Sequence, residues 1–459
     1  MLRRLTSHRV DVLLTGGALV FIYLVTPFEI HSDARARYLT LSELLTNGSI
    51  GVTPYSLVGP LFSAPLWWFG SLFDEAKWWC ERYNFVLFVL GLVGFYRILT
   101  PVIEREMVTR FLLILTVASM FSNHLSNYFG EVFTAMTVAL GLTLVCLRQN
   151  AWGWVLVVLG VANTPGTLPG MGLVAVGWSW RTRNIRHLAP VLVSAALVLL
   201  ENWIRRGDPF TTGYEDNRAT ETILPYSGLP GFSYPLYLGL LSVLFSFGKG
   251  LFLFAPGLLL IPGQVAGRLT VLRTIHLVWL AFLLGLVLVY SKWFSWYGGI
   301  FWGPRFFLFG SIPAALALAA WCGGCVRSRW TDALGVVFVL WSCWVGANGL
   351  VFRLYELQEC WANNYQLELL CLYVPEFSVL FRPFVRTASM VAVEAAALVY
   401  FAIVGLYLVA PRISTMVRPP ADDVTTGGVS PAAVGCHRIP LLVPTSVHQQ
   451  PFLQRPFVR

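Results

Sequence analysis

Charge is what this chain has least of. Asp, Glu, Lys and Arg make up 12% of its 459 residues, about half the share of an ordinary soluble protein. Hydrophobic residues make up 56%, and mean hydropathy is +0.67. That balance excludes a soluble globular domain and predicts an all-α polytopic membrane protein. A basic stripe with interleaved aromatics is missing too: the Lys and Arg behind the net charge of +9 fall in short clusters between apolar runs, so nucleic acid is not an expected partner. There is no P-loop, GxSxG, HExxH or repeat period, so ATP-driven transport, serine hydrolysis and zincin chemistry lack their marks. Among the eight cysteines no CxxC is matched by a second Cys or His pair at metal spacing; Cys322 and Cys325 stand alone, and no zinc site is expected. Cys360 and Cys371 share an outer loop and can pair if that face is oxidising, which the sequence leaves open. No small-residue cleavage site follows the first apolar run. Glu29, His31 and Asp33 do, so that run is expected to remain as a span.

What is present is a series of apolar runs separated by basic clusters. Residues 11 to 30 can cross a bilayer as a helix of roughly 20 residues. Directly after them, His31-Ser32-Asp33-Ala34-Arg35-Ala36-Arg37-Tyr38 puts a carboxylate at a membrane exit. Ser32 can cap a helix there, Tyr38, Leu41 and Leu45 recur on one face, and Asn47-Gly48 is a stop signal, which together predict a helix lying along the surface. A plainer role for Asp33, pairing with Arg37 one turn on, stays open. Residues 49 to 72 are apolar but broken by Pro54, Pro60 and Pro65, which argues for a second surface or partly re-entrant helix with Trp67 and Trp68 at headgroup depth.

Basic clusters at Arg3/Arg4/Arg9, Arg105/Arg110, Arg181/Arg183/Arg186, Arg268/Arg273, Arg327/Arg329 and Arg412/Arg418 mark cytoplasmic segments. The pattern predicts about twelve spans, with both termini cytoplasmic and outer loops near 31–82, 203–247 and 352–386. Expected spans fall near 83–100, 109–123, 132–148, 187–204, 250–266 and 387–410, with a short broken pair meeting at Asn163–Gly170, a ninth span ending at Lys292 to Gly299, a tenth starting just after Arg305 and an eleventh leading to the third outer segment. Residues 1–410 are read as one transmembrane domain, and 411–459, with scattered Pro and no periodicity, as a disordered cytoplasmic tail. Asp33, Glu131, Asp208, Glu215, Glu359 and Glu368 all fall outside, so chemistry that needs an acid belongs on that face.

Taken in order, Ser32-Asp33-Ala34-Arg35 to Leu45, Asn127-Tyr128-Phe129-Gly130-Glu131, Asn202 to Phe210 with Gly213-Tyr214, Gly248-Lys249-Gly250-Leu251-Phe252, and Trp296-Tyr297-Gly298-Gly299 with Trp302-Gly303-Pro304-Arg305 resemble the membrane glycosyltransferases of the GT-C fold. The bacterial members akin to protein mannosyltransferases and lipid A aminoarabinose transferases are the most similar. The resemblance implies a GT-C-like transmembrane domain in a bacterial inner membrane. It implies transfer of a sugar from a polyprenyl-phosphate donor, with inversion, to a lipid, glycan or protein hydroxyl on the extracytoplasmic face. In that setting Asp33 would be the base, Arg305 or Lys249 would hold the donor phosphate, and Glu131 would orient the acceptor or bind a divalent cation. Several relatives carry Asp-Glu in the first loop where this chain has Asp33-Ala34, so a second acid must come from elsewhere. The simpler roles are a helix-initiating Glu131, an Arg305 snorkelling to lipid phosphates, and a polar loop His124.

Two readings from other classes compete. A transporter or flippase of lipid-linked sugars calls for ionisable residues at mid-span and inverted repeats, whereas here Glu394 is the main such residue. A noncatalytic scaffold can keep the fold without the reaction. The sidedness on which the site argument depends is checked directly: a reporter fused after Gly48 is expected outside and one fused after Arg183 inside, and finding both on one side removes the topology.

Overall fold

The computed structural model describes residues 2–148, 151–215, 217–218, 221–224, 226–260, 270–299, 301–324, 329–352, 358–386 and 389–417. Within them the architecture is all-helical. Seven helical segments are long and apolar enough to cross a membrane: Ser7–Val25, Glu131–Arg148, Ile185–Arg206, Val271–Tyr290, Arg305–Cys322, Arg329–Val351 and Ala392–Met416. The other expected spans appear as shorter helices. Tyr83–Leu99 and Arg105–Val117 have 17 and 13 residues, and the broken pair is Ala151–Asn163 and Leu168–Thr182, joined by the 3-10 turn Pro165–Thr167.

The segment 203–247, expected as an outer loop, contains the apolar helix Leu236–Phe245, whose ten residues are too few to cross a bilayer. The expected span 250–266 instead breaks into Leu251–Phe254 and the 3-10 turn Pro256–Leu259, with Pro256 ending the first piece; 261–269 lie outside the described residues. At the C-terminus the last helix continues to Val417, past the expected boundary at 410, and the rest of the expected tail lies outside the described residues.

Buried charge gathers at two ends of the bundle. At one end, fully buried Asp11 in the first helix accepts from Arg110 Nε (3.0 Å) and from the Tyr407 hydroxyl (2.8 Å), tying Leu2–Val25 to Arg105–Val117 and Ala392–Val417. At the other end, the first helix leads into the predicted surface helix, Asp33–Asn47. Its stop is as expected: Gly48 is left-handed (φ 68°) and its N–H returns to Leu44 O at 3.1 Å. Its start differs. Ser32 has φ 50° and makes no side-chain cap, and its hydroxyl lies 3.4 Å from Asp33 Oδ1. The proline-rich stretch forms the two short helices Val58–Leu61 and Ala64–Ser71. Leu41 of the surface helix packs on Leu57 and Ala64 beside them, Trp67 is buried against the protein and Trp68 is exposed.

Small residues let the supporting helices touch. A Cβ on Gly141 would stand 2.5 Å from Gly153 O, and one on Gly153 would stand 2.7 Å from Gly141 O, so Glu131–Arg148 and Ala151–Asn163 cross at backbone contact. That contact brings Asn163, at the break, under the start of the Glu131 helix. The Asn163 amide donates to Gly130 O (2.9 Å) and Thr134 Oγ1 (3.0 Å), while its carbonyl oxygen accepts from Gly59 N–H (3.0 Å) of the proline-rich stretch. Gly153→Leu is therefore expected to force these helices apart and cost about 1–3 kcal/mol, read as a lower unfolding temperature of the purified protein in detergent.

Candidate functional site

Arg305 opens a 3-10 stretch, Arg305–Gly310, that feeds the buried helix Ser311–Cys322. The loop before it is bent by left-handed backbone at Gly298 (φ 73°) and Gly303 (φ 63°). A Cβ on Gly298 would also stand 2.9 Å from Arg305 Cγ, so the Arg305 stem lies flat on the glycine backbone. The guanidinium is thereby turned inward, and its side chain is 9% exposed. Phe301, Phe129 and Phe306 surround it with ring centroids at 4.5, 5.0 and 5.1 Å.

Two carboxylates meet this buried cation. Arg305 Nη2 donates to Asp33 Oδ2 at 2.9 Å, across 272 residues of sequence, and Arg305 Nη1 stands 3.8 Å from Glu131 Oε1. Asp33 is the first residue of its helix, and so is Glu131; each carboxylate sits where free N–H groups favour a negative charge. The helix-initiating role of Glu131 and its place beside Arg305 are thus compatible. The partner of Asp33 is Arg305, while Arg37 donates to Ser56 O at 3.2 Å and lies over the Tyr55 ring at 5.1 Å.

Tyr55, which the sequence reading passed over, stands close enough to Asp33 for each to shift the other's titration. Its loop is clamped from the Ala189–Arg206 helix: Arg205 donates to Gly51 O (2.9 Å), Tyr55 O (2.5 Å) and Thr53 Oγ1 (2.7 Å), and Glu201 accepts from Leu57 N–H and the Ser56 hydroxyl, both at 2.7 Å. Tyr214 packs edge-on against Tyr55, with centroids 6.2 Å apart. The signal that was available is polar residues in a proline-broken loop, Thr53, Tyr55 and Ser56, which a purely lipid-facing segment has no use for.

Burial pushes the Asp33 carboxyl upward, but the Arg305 charge, the nearby Tyr55 hydroxyl, the hydrogen bond from Arg305 and the Arg37 charge outweigh it and hold Asp33 below the ordinary carboxylate range. Tyr55 is driven the other way, first by burial and then by the Asp33 charge, and keeps its proton.

The remaining candidates stand around this centre. Lys249 is buried, and its ammonium donates to the carbonyls of Gly299 (3.1 Å), Phe301 and Gly303 (2.9 Å). His124, expected as a polar loop residue, is buried edge-on to Trp302 with centroids 6.1 Å apart. In the segment 358–386, expected as part of the third outer loop, Cys360 and Cys371 are joined as a disulfide. Between them Glu368 accepts a hydrogen bond from Tyr297, and burial raises it to about 7. The side chains of Trp361 and Asn363 lie outside the described residues. Among the described residues no three His, Cys, Asp or Glu side chains come together to hold a metal ion; Asp33 and Glu131 are bridged by the guanidinium.

The chain matches no protein-family model, and neither the curated proteins nor the solved structures contain a significant match to it.

Chemically the arrangement is a cation with a planar fork, two acceptors for a proton or a hydroxyl, and an aromatic wall. Removing the cation leaves two carboxylates facing each other with little water, so Arg305→Ala is expected to cost about 3 kcal/mol. Asp33→Asn leaves Arg305 paired with Glu131 and is expected to cost less. Because Asp33 is depressed in the folded protein, its contribution is present above the unfolded value of about 4 and fades as pH falls through the folded one. Unfolding temperatures of wild type and Asp33→Asn are therefore expected to converge as pH falls from about 4 through the depressed Asp33 value.

Proposed function

We propose that this chain is a membrane glycosyltransferase that moves a sugar from a polyprenyl-phosphate donor to an acceptor hydroxyl on the extracytoplasmic face of a bacterial inner membrane, with both termini cytoplasmic. The observation that carries this reading is the meeting of Asp33, Glu131 and Arg305, drawn from three distant segments, in one aromatic-walled centre. It unites the base, the second acid and the phosphate cation that the reaction asks for.

In the proposed step the acceptor oxygen attacks the anomeric carbon while the bond from that carbon to the phosphate oxygen breaks, with inversion. The hydroxyl proton passes to Asp33, and polyprenyl phosphate leaves with the bonding electron pair. A phosphate monoester is a weak base, so its departure needs a cation more than a general acid, and the Arg305 fork supplies one. Glu131 would orient the acceptor, or share a divalent cation with it. The acceptor itself is a lipid, glycan or protein hydroxyl.

Paired with Arg305, Asp33 is a weak base, which suits a resting state. A phosphate that takes over the Arg305 fork would withdraw the charge that depresses Asp33, so the base would strengthen when donor is bound.

The test incubates purified protein with a panel of polyprenyl-phosphate sugars and measures release of polyprenyl phosphate. Asp33→Asn is expected to lower kcat by about 10²–10⁴-fold while donor affinity holds. The free-enzyme profile, kcat/KM, is expected to lack an acidic limb from Asp33 between about pH 5 and 7, because Asp33 is ionised throughout that window. Wild-type turnover in Asp33→Asn removes Asp33 as base, and a limb near pH 7 shifts attention to Glu368. Binding of donor without release from any sugar turns the assignment to a noncatalytic carrier.

A further inference from the structure

Lys249 is the second buried cation near the centre, and its surroundings differ from those of Arg305. Its three protons face three main-chain oxygens, those of Gly299, Phe301 and Gly303. These are alternate residues of the loop that ends on Arg305, so their carbonyls converge on one point as they would on a bound metal cation. Left-handed backbone at Gly298, Gly299 and Gly303 (φ 73°, 80° and 63°) lets the chain coil around that point. An ammonium offers three donors and no acceptor, which matches three carbonyls and leaves none of them bare in a buried place.

The same loop also forms part of the Arg305 pocket. The Phe301 ring lies 4.5 Å from the guanidinium, and Gly298 lies under the Arg305 stem. Lys249 is in turn fixed from behind: Gly248 N–H donates to Leu372 O at 3.1 Å, and a Cβ on Gly248 would stand 1.8 Å from Cys371 O. The disulfide-linked segment 358–386 is therefore the backstop for Lys249, and Glu368 faces Lys249 across a small recess between them.

We propose that Lys249 is a positioning residue: it wraps the 299–303 loop and so holds the Arg305 guanidinium between Asp33 and Glu131, acting on a bound phosphate through Arg305 and not by contact. The phosphate part of this proposal rests on the donor reading above; the loop part does not. It also assigns the segment 358–386 a task, that of bracing Lys249.

Two measurements on the full-length protein in detergent test it. In hydrogen–deuterium exchange without any ligand, Lys249→Met is expected to raise exchange in the 298–304 segment at least about tenfold while the distant Asp11–Arg110–Tyr407 end is unchanged; wild-type protection of the segment overturns the proposal. In the second, farnesyl phosphate binding is measured for Lys249→Met, Arg305→Ala and the double variant. Each single change is expected to weaken binding by about tenfold to a hundredfold, and the double variant to be no weaker than Arg305→Ala alone. Losses that multiply mean that Lys249 touches the phosphate itself, and overturn the proposal. If farnesyl phosphate does not bind wild type, the donor reading fails and the exchange measurement still decides on Lys249. Should Lys249→Met fail to fold, Lys249→Gln carries both measurements.

Discussion

A guanidinium that has been taken out of water must be answered by negative charge, and that requirement at Arg305 organises one end of this protein. Burying such an ion costs several kcal/mol even after relaxation, and only close, well-aligned partners offset it. Asp33 supplies one such contact and Glu131 a second negative charge 3.8 Å away, each from the first turn of a helix, and three phenylalanine faces complete the enclosure. Each element nearby can be understood by how it brings one of these groups into reach. The surface helix delivers Asp33, the crossing at Gly141 and Gly153 sets the Asn163 support beneath Gly130, and the glycine-bent loop turns Arg305 inward.

The same requirement makes the centre responsive. A guanidinium shared between carboxylates is stable but not committed, since an incoming phosphate competes for the same fork with comparable geometry. Under the proposed reaction this competition does chemical work: binding the donor and strengthening the base become one event. Tyr55 then matters as the neighbour that remains beside Asp33 when Arg305 turns to the phosphate. The clamp of Arg205 and Glu201 on the Tyr55 loop explains why a proline-broken stretch that cannot form a regular span is still held firmly.

The two cations near the centre illustrate how side-chain shape decides a role. Arg305 has a flat fork and meets flat carboxylates. Lys249 has three protons splayed around one point and meets three carbonyls. Both were candidates for the donor phosphate under the family resemblance, because a linear sequence cannot tell which protons are already in use.

The sequence by itself determined the membrane character of the chain, because hydropathy is a sum over residues and needs no contacts. It also determined the helix from Asp33 to Asn47 with its Gly48 stop, and the break at Asn163–Gly170, because stop signals, prolines and periodicity act within a few residues. Where apolar content alone was weighed, as for the expected span 250–266, the reading missed the break at Pro256. Only the tertiary structure decided that Asp33 pairs with Arg305 across 272 residues and not with Arg37 one turn away, that Tyr55 joins them, and that Lys249 faces carbonyls. These are contacts between segments, settled by which partner satisfies a buried charge at the lowest desolvation cost, and that comparison exists only once the segments have been packed together.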